Sequence, residues 1–204
     1  MNPLYEKLAD GLAEQGYATI DQFISPSEVA SILRLDEFNG GLLQFRKAGI
    51  GKQLEKKIDE SIRGDYVKWI DRRTAGRELK VYMDQLDKMI SYVNQSLFLS
   101  LKDFELHLTI YPAGSYYKRH LDQFKGDDHR RLSVIFYLNE DWKEEEGGQL
   151  RLYLPSGPLD VYPIGGKLVC FRSDTIEHEV LPATRDRLSI TGWILDQLAE
   201  LRHL

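Results

Sequence analysis

The chain has 204 residues, 42% of them hydrophobic, and a formal net charge of -5, a size and composition that suit one domain with a real core and offer no basic field to nucleic acid. No stretch approaches the ~18 apolar residues of a membrane helix, and the N-terminus lacks the basic-then-apolar order of a signal peptide. The lone cysteine, Cys170 in "KLVCF", forms no internal disulfide and reads as a small buried hydrophobe, which fits a reducing cytoplasmic location.

In "MNPLYEKLADGLAEQ", Leu4, Leu8 and Leu12 recur at helical spacing, and "GYATI" then breaks into a short strand. In "SPSEVASILRL", Ser25 can cap a helix, Pro26 takes its first position and Glu28 completes a capping box. From Glu78 to Leu99 the residues Leu79, Met83, Leu86, Ile90, Val93 and Leu97 form one stripe, which predicts a long helix with an apolar seam. Before it, Phe45 to Asp65 is glycine-punctuated and carries Arg46, Lys47, Lys52, Lys56, Lys57 and Arg63, leading to a strand-like end at Tyr66 to Ile70. That stretch reads either as a solvated loop or as a lid over a peptide, with "AGIG" giving hinge freedom.

The second half changes character. "FELHLTIYP", "SYYKRHL", "RRLSVIFYLN", "GGQLRLYLP", "LDVYPI", "KLVCFRS", "HEVLPA" and "RLSITGWIL" are short β-rich segments separated by Gly, Pro, Asn and Asp. Helices first and closely spaced strands afterwards predict an α+β fold: a jelly roll, or double-stranded β-helix, buttressed on one face by helices. The expected organisation is one domain over residues 1–204, with residues 1–100 mainly helical support plus the loop and residues 101–196 the jelly-roll core.

His120 and Asp122 in "YYKRHLDQF" lie two apart on a strand and so project to one face. His178 in "DTIEHEVLP" is the best third partner, because it too begins a strand after a polar turn. Two imidazoles and a carboxylate form a facial triad suited to Fe(II), with positions open for a co-substrate and oxygen; zinc suits the same set. The bland alternative is a solvated polar pair at a strand end. His129 and His203 sit in a polar turn and the C-terminal tail and read as solvated, while His107 shares the Glu105–Thr109–Tyr111 face of its strand and is the rival pocket histidine.

In the last strand Arg187, Ser189, Thr191 and Trp193 share one face, opposite Leu188, Ile190 and Ile194. A guanidinium inside a barrel is costly unless paired, and a bidentate ligand carboxylate would meet that cost. Alternation in "RLSVIFYLN" puts Tyr137 with Ser133 and Ile135, so its hydroxyl can reach the same carboxylate. The plain alternative is a rim pair of Arg187 with Asp186 or a glutamate.

"HLD", the distal His178 and Arg187 nine residues on resemble the 2-oxoglutarate- and Fe(II)-dependent dioxygenases. "YLNEDW" followed by "GGQLRLY", then "FRSDTIEHEVLPA", "RLSITGW" and upstream "IRGDYVKWI", are similar to the hypoxia-inducible-factor prolyl hydroxylases of animals and their bacterial relatives. The resemblance implies that His120, Asp122 and His178 bind Fe(II), and that Arg187, with Tyr137 beside it, holds 2-oxoglutarate. It implies a pocket lined by Tyr111, Thr191 and Trp193, an Asp65–Arg130 pair that holds the loop, and Arg63 near the substrate. The cofactors implied are Fe(II), 2-oxoglutarate and O2, with ascorbate as an accessory reductant. The reaction implied is hydroxylation of a prolyl residue to hydroxyproline, with succinate and CO2 as co-products. The partner implied is a protein substrate, with elongation factor Tu favoured because bacterial members act on it; neither nucleic acid nor membrane is expected. His107 departs from the family pattern, standing where an apolar residue is usual. Three alternatives stay open at this level: an oxygenase of a free amino acid or other small molecule, a cupin-like module that holds metal without turnover, and a zinc hydrolase using Glu177 or Glu179 as base.

Overall fold

The computed structural model describes residues 2–49, 59, 61–123 and 129–199. Helix α1 (Pro3–Gln15) starts where the Asn2 side chain accepts from the Leu4 N–H, with proline in its first turn, and stops at Gly16, whose φ of 77° closes the C-terminus onto the Leu12 carbonyl. Strand β1 (Tyr17–Ile20) follows. Helix α2 (Pro26–Leu33) carries the expected capping box of Ser25 and Glu28, and a single turn, α3 (Asp36–Asn39), leads to the two-residue strand β2 (Arg46–Lys47) and to β3 (Tyr66–Trp69). Lys52, Lys56, Lys57 and the "GIG" of the proposed hinge fall wholly or partly outside the described residues, as does His203.

Helix α4 (Arg77–Leu97) is the long helix of the apolar stripe. It buries Leu79, Met83, Leu86, Ile90 and Val93 as expected, and Tyr82 and Met89 besides. A core-facing helix in a layered fold presents a wider stripe than a coiled-coil seam, and the two extra residues widen it. The eight β-rich segments become β4 (Asp103–Tyr111), β5 (Tyr117–His120), β6 (Arg130–Tyr137), β7 (Leu150–Leu154), β8 (Gly157–Val161), β9 (Leu168–Arg172), β10 (Glu177–Val180) and β11 (Arg187–Leu195).

Two sheets result. The larger has the order β1-β9-β6-β11-β4-β3-β2 and the smaller β5-β10-β7-β8, all pairs antiparallel. The N-terminal half therefore supplies helices and also both edges of the larger sheet. Period-two alternation divides each central strand between two cores. Leu106, Leu108, Ile110, Leu132, Val134, Phe136, Ile190 and Ile194 face outward and pack with α1, α2 and α4. Tyr111, Ile135, Tyr137, Val169 and Phe171 face inward against Leu150, Leu152 and Val180 of the smaller sheet. Cys170 is fully buried with the helical layer, and burial pushes its thiol up to about 12, so it behaves as the inert hydrophobe expected.

The space between the sheets also holds polar groups. His107 is 4% exposed; its Nδ1 lies 2.8 Å from Thr109 Oγ1. Burial pushes this imidazole down to about 3; Asp65 and Asp122 draw it up, while Arg63 and Arg130 push it down.

Truncating Leu86, fully buried where α4 meets the sheet, leaves a cavity; Leu86→Ala should lower unfolding free energy by about 3 kcal/mol in denaturant titration. The His107 imidazole stays neutral in the folded protein while the unfolded chain takes up a proton near its ordinary value of 6.5. Its contribution to stability is thus present above that value and is lost as pH falls from 6.5 toward 3, with a slope of up to about 1.4 kcal/mol per pH unit. His107→Gln removes this titration, so its stability relative to the unaltered chain should rise through that window; a constant difference across it would refute the assignment.

Candidate active site

Strands β5 and β10 pair antiparallel with His120 directly opposite His178. Asp122 follows in the bend after β5, and one ligand atom from each of His120, Asp122 and His178 lies within 4.8 Å of the others. Asp122 Oδ1 is 3.5 Å from His120 Nε2, and its Oδ2 is 3.6 Å from His178 Nε2. Each imidazole turns its other nitrogen to a main-chain carbonyl: His120 Nδ1 donates to Lys118 at 2.7 Å and His178 Nδ1 to Ile176 at 3.3 Å. A carbonyl only accepts, so each Nδ1 carries a proton and each Nε2 is turned toward the carboxylate.

Burial alone would raise the Asp122 pKa, but the imidazoles of His178 and His120 and the hydroxyl of Ser133 hold the carboxyl well below the usual range. Ser133 Oγ donates to Asp122 Oδ2 at 2.6 Å and meets Ser173 Oγ at 2.9 Å. Burial pushes His178 down to about 4 against the pull of Asp122. At neutral pH the cluster therefore presents one anionic carboxylate and a neutral His178, the protonation states a divalent metal requires. Two imidazoles with one carboxylate fit Fe(II) by donor type.

Arg187 opens β11 and is 2% exposed. Its Nη2 donates to Tyr137 Oη at 3.3 Å, whereas Nε and Nη1 are buried without a hydrogen-bond partner among the described residues. The rings of Tyr111 and Tyr137 lie 4.8 and 5.1 Å from its Cζ, and burial raises the pKa of both phenols, so both remain neutral donors. Gly148, at φ +72°, allows the close approach below: a Cβ there would sit 3.0 Å from Trp142 and 3.5 Å from Arg187 Cδ. The rim pair with Asp186 does not form; that carboxylate accepts instead from the Ala113 N–H at 3.0 Å. A buried guanidinium with two orphaned nitrogens fits a ligand carboxylate, as 2-oxoglutarate would supply.

Thr191 and Trp193 continue the inward face of β11, opposite His107 and Glu105 of β4 and Ile135 and Ser133 of β6. His107 meets Trp69 and Trp193 edge to face, with ring centroids 5.0 and 5.7 Å away. The expected Asp65–Arg130 pair is absent. Asp65 is clamped by Arg63, Nε to Oδ1 at 2.7 Å and Nη2 to Oδ2 at 2.6 Å, and Arg130 reaches Glu105 at 2.8 Å while lying 3.4 Å from the Trp193 ring centroid. The register explains the exchange. Tyr66 opposite Ile110 puts Asp65 at the Tyr111 end of β4, and Arg130 lies toward the Glu105 end, so each meets a nearer partner. His129, expected to be solvated, has a solvent-exposed side chain that also bonds Asp196 at 2.8 Å.

Ser133, Ser173 and Tyr117 were not singled out as site residues by the sequence. A serine amid the apolar run of β6 was the available signal for the first; the others are visible only across strands. Glu177 and Glu179 flank His178 but face out, to Arg119 at 3.1 Å and to the Tyr153 hydroxyl at 2.7 Å, which leaves the hydrolase alternative without its base.

Residues 106–195 match the 2OG-Fe(II) oxygenase superfamily. Prolyl hydroxylase EGLN3 of Mus musculus is 30% identical over 94% of this chain and 83% of its own length. The crystal structure of a Pseudomonas putida prolyl-4-hydroxylase is 38% identical, with a TM-score of 0.85 and coverage of 96% of this chain and 100% of that one. A Trichoplax adhaerens prolyl hydroxylase, solved with a peptide fragment of the hypoxia inducible factor oxygen degradation domain, is 30% identical, with a TM-score of 0.84 and coverage of 95% and 90%. Longer animal relatives extend beyond the shared region, and the chain spans 28% to 58% of their length. With the jelly roll, the convergent His–Asp–His cluster and the buried arginine in place, the chain belongs to the 2-oxoglutarate- and Fe(II)-dependent oxygenase superfamily, in the company of its prolyl hydroxylases.

Proposed function

We propose that this chain hydroxylates a prolyl residue, at its 4-position, within a protein substrate. Fe(II) would be held by His120, Asp122 and His178, and 2-oxoglutarate by Arg187 and Tyr137. The observation that carries the reading is the pairing of a three-ligand cluster with a buried guanidinium whose Nε and Nη1 have no hydrogen-bond partner among the described residues. A passive metal-binding module has no use for such an anchor. When bound, Fe(II) with 2-oxoglutarate and O2 would supply the oxidant for a C–H bond, one atom of O2 entering the substrate as hydroxyl and the other entering the oxo acid, which leaves as succinate and CO2.

The chain's own residues do the rest. Arg187 neutralises the distal carboxylate, and Tyr137 offers it a hydroxyl. Ser133 fixes Asp122, and the Lys118 and Ile176 carbonyls fix the imidazole tautomers. Phe171, 4.7 Å from His178, and Ile135 keep the inner wall dry. Tyr111, Thr191 and Trp193 line the approach, with Arg63, Asp65 and Arg130 at its margin. The peptide-bound Trichoplax relative supports a protein substrate over a free amino acid. The finer assignment, a prolyl residue of elongation factor Tu in the cytoplasm, rests on the resemblance to bacterial members.

In anaerobic titration one Fe(II) should bind per chain and 2-oxoglutarate should add a visible charge-transfer band; Asp122→Ala should lose both. Arg187→Gln should keep Fe(II) and weaken 2-oxoglutarate by about 100-fold, the loss of a charge-assisted bidentate contact; unchanged affinity would refute the anchor. Mass spectrometry of elongation factor Tu from cells with and without the enzyme should show one prolyl peptide losing the mass of one oxygen on deletion. If none changes while free proline is turned over in vitro, the substrate is a small molecule.

A further inference from the structure

Of the two histidines, His120 has the looser seat: its side chain is 17% exposed against 5% for His178, and it ends a four-residue edge strand. Its Nδ1 contact to Lys118 restrains the ring at one atom but does not by itself fix the plane. The plane is set by Tyr117, whose ring stacks on the imidazole with centroids 3.6 Å apart and 17° between planes. On Tyr117 lies the guanidinium of Arg63, its Cζ 4.2 Å from the ring centroid. Arg63 is itself held by both oxygens of Asp65, whose side chain is 1% exposed. Carboxylate, guanidinium, phenol and imidazole thus form a continuous series from the segment before β3 to the metal cluster.

The backbone holds this series in register. Arg63 and Tyr117 form an isolated antiparallel bridge; Gly64 N–H donates to the Tyr116 carbonyl and Lys118 N–H to the Ile62 carbonyl, each at 2.9 Å. Tyr116 Oη adds a contact to the Ser61 carbonyl at 3.2 Å. Residues 61–64 so act as an extra strand beside β5. At Gly64 a Cβ would lie 2.8 Å from Ser115 Cβ, so the close approach needs glycine there.

We propose that Arg63 and Tyr117 are positioning residues for the metal: the Tyr117 ring stacked on His120, with the Arg63 guanidinium over that ring, fixes the plane of His120 so that its Nε2 points at the site shared with Asp122 and His178. Arg63, expected from the resemblance to act near the substrate, then acts through Tyr117 on a ligand. The inference rests on the reading of His120 as a ligand. It makes planarity the required property: a guanidinium and an aromatic ring have flat faces to stack, an ammonium or a branched alkyl group does not.

The test is anaerobic titration with Fe(II) alone, alongside thermal unfolding of the metal-free protein. Tyr117→Phe keeps the stacked ring and should bind within twofold of the unaltered chain. Tyr117→Leu and Arg63→Gln should each weaken Fe(II) by about 10-fold, the scale of residues that orient a ligand. Arg63→Lys keeps the charge next to Asp65 but loses the flat face, and should weaken Fe(II) as Arg63→Gln does. Should Tyr117→Leu prove unfolded, the Tyr117→Phe and Arg63→Lys pair decides. Unchanged Fe(II) affinity in Arg63→Lys and Arg63→Gln, or equal loss in Tyr117→Phe and Tyr117→Leu, would overturn the proposal, whatever the unfolding temperatures do. If the unaltered chain binds no Fe(II), the proposed function falls and this inference with it.

Discussion

The register between β5 and β10 is the constraint on which the site depends. His120 opposite His178 brings two imidazoles from strands nearly sixty residues apart to one point. Side chains alternate along a strand, so a slip of one residue would turn His178 outward and Glu177 or Glu179 inward. Register is enforced from both sides: Leu150 and Leu152 of β7 pair with Val180 and His178, and both leucines are fully buried between the sheets. The apolar packing that closes the jelly roll is thus also what sets the geometry of the cluster.

Charge is distributed inside that packing as two separated halves of opposite sign. Asp122 is an anion flanked by imidazoles and a serine hydroxyl; Arg187 is a cation walled by tyrosine rings with two nitrogens unpaired. An unpaired buried guanidinium destabilises the fold. A divalent cation at the first and a carboxylate at the second relieve both together, so ligand binding and stability are linked. Function here is written as an incomplete electrostatic account of the interior.

Much of the fold was legible because alternation and helical period are local. All eight β-rich segments appear as strands, the Ser25–Glu28 box caps α2, and the inward face of β11 carries Arg187, Ser189, Thr191 and Trp193 as its alternation requires. The candidate site was legible to the same depth: which residues face in can be read from one strand. Which of them touch cannot. Arg63 takes Asp65 and Arg130 takes Glu105 because of how β3, β4 and β6 are offset, and the Tyr117–His120 stack with Arg63 upon it needs a bridge spanning fifty-odd residues. Tyr82 and Met89 fell outside the stripe drawn on α4 because a sheet covers a wider arc of a helix than a single row of residues suggests.

The outer face of the smaller sheet shows the same alternation working in reverse. There Arg119 stacks on Tyr153, Tyr153 donates to Glu179, and Arg151 binds Asp160 at 2.7 Å while approaching Glu179 at 3.8 Å. These groups are matched to one another, and the ladder leaves Glu177 and Glu179 engaged on the side of β10 away from His178. A metal hydrolase needs a base within reach of metal-bound water, and the two glutamates nearest the cluster in sequence are held from it by the period of the strand. The buried partner that the inner face does supply is a cation, Arg187, suited to hold an acid rather than to take a proton. The strand period that brings His178 to the cluster therefore also separates an oxo-acid-dependent oxygenase from a hydrolase on the same scaffold.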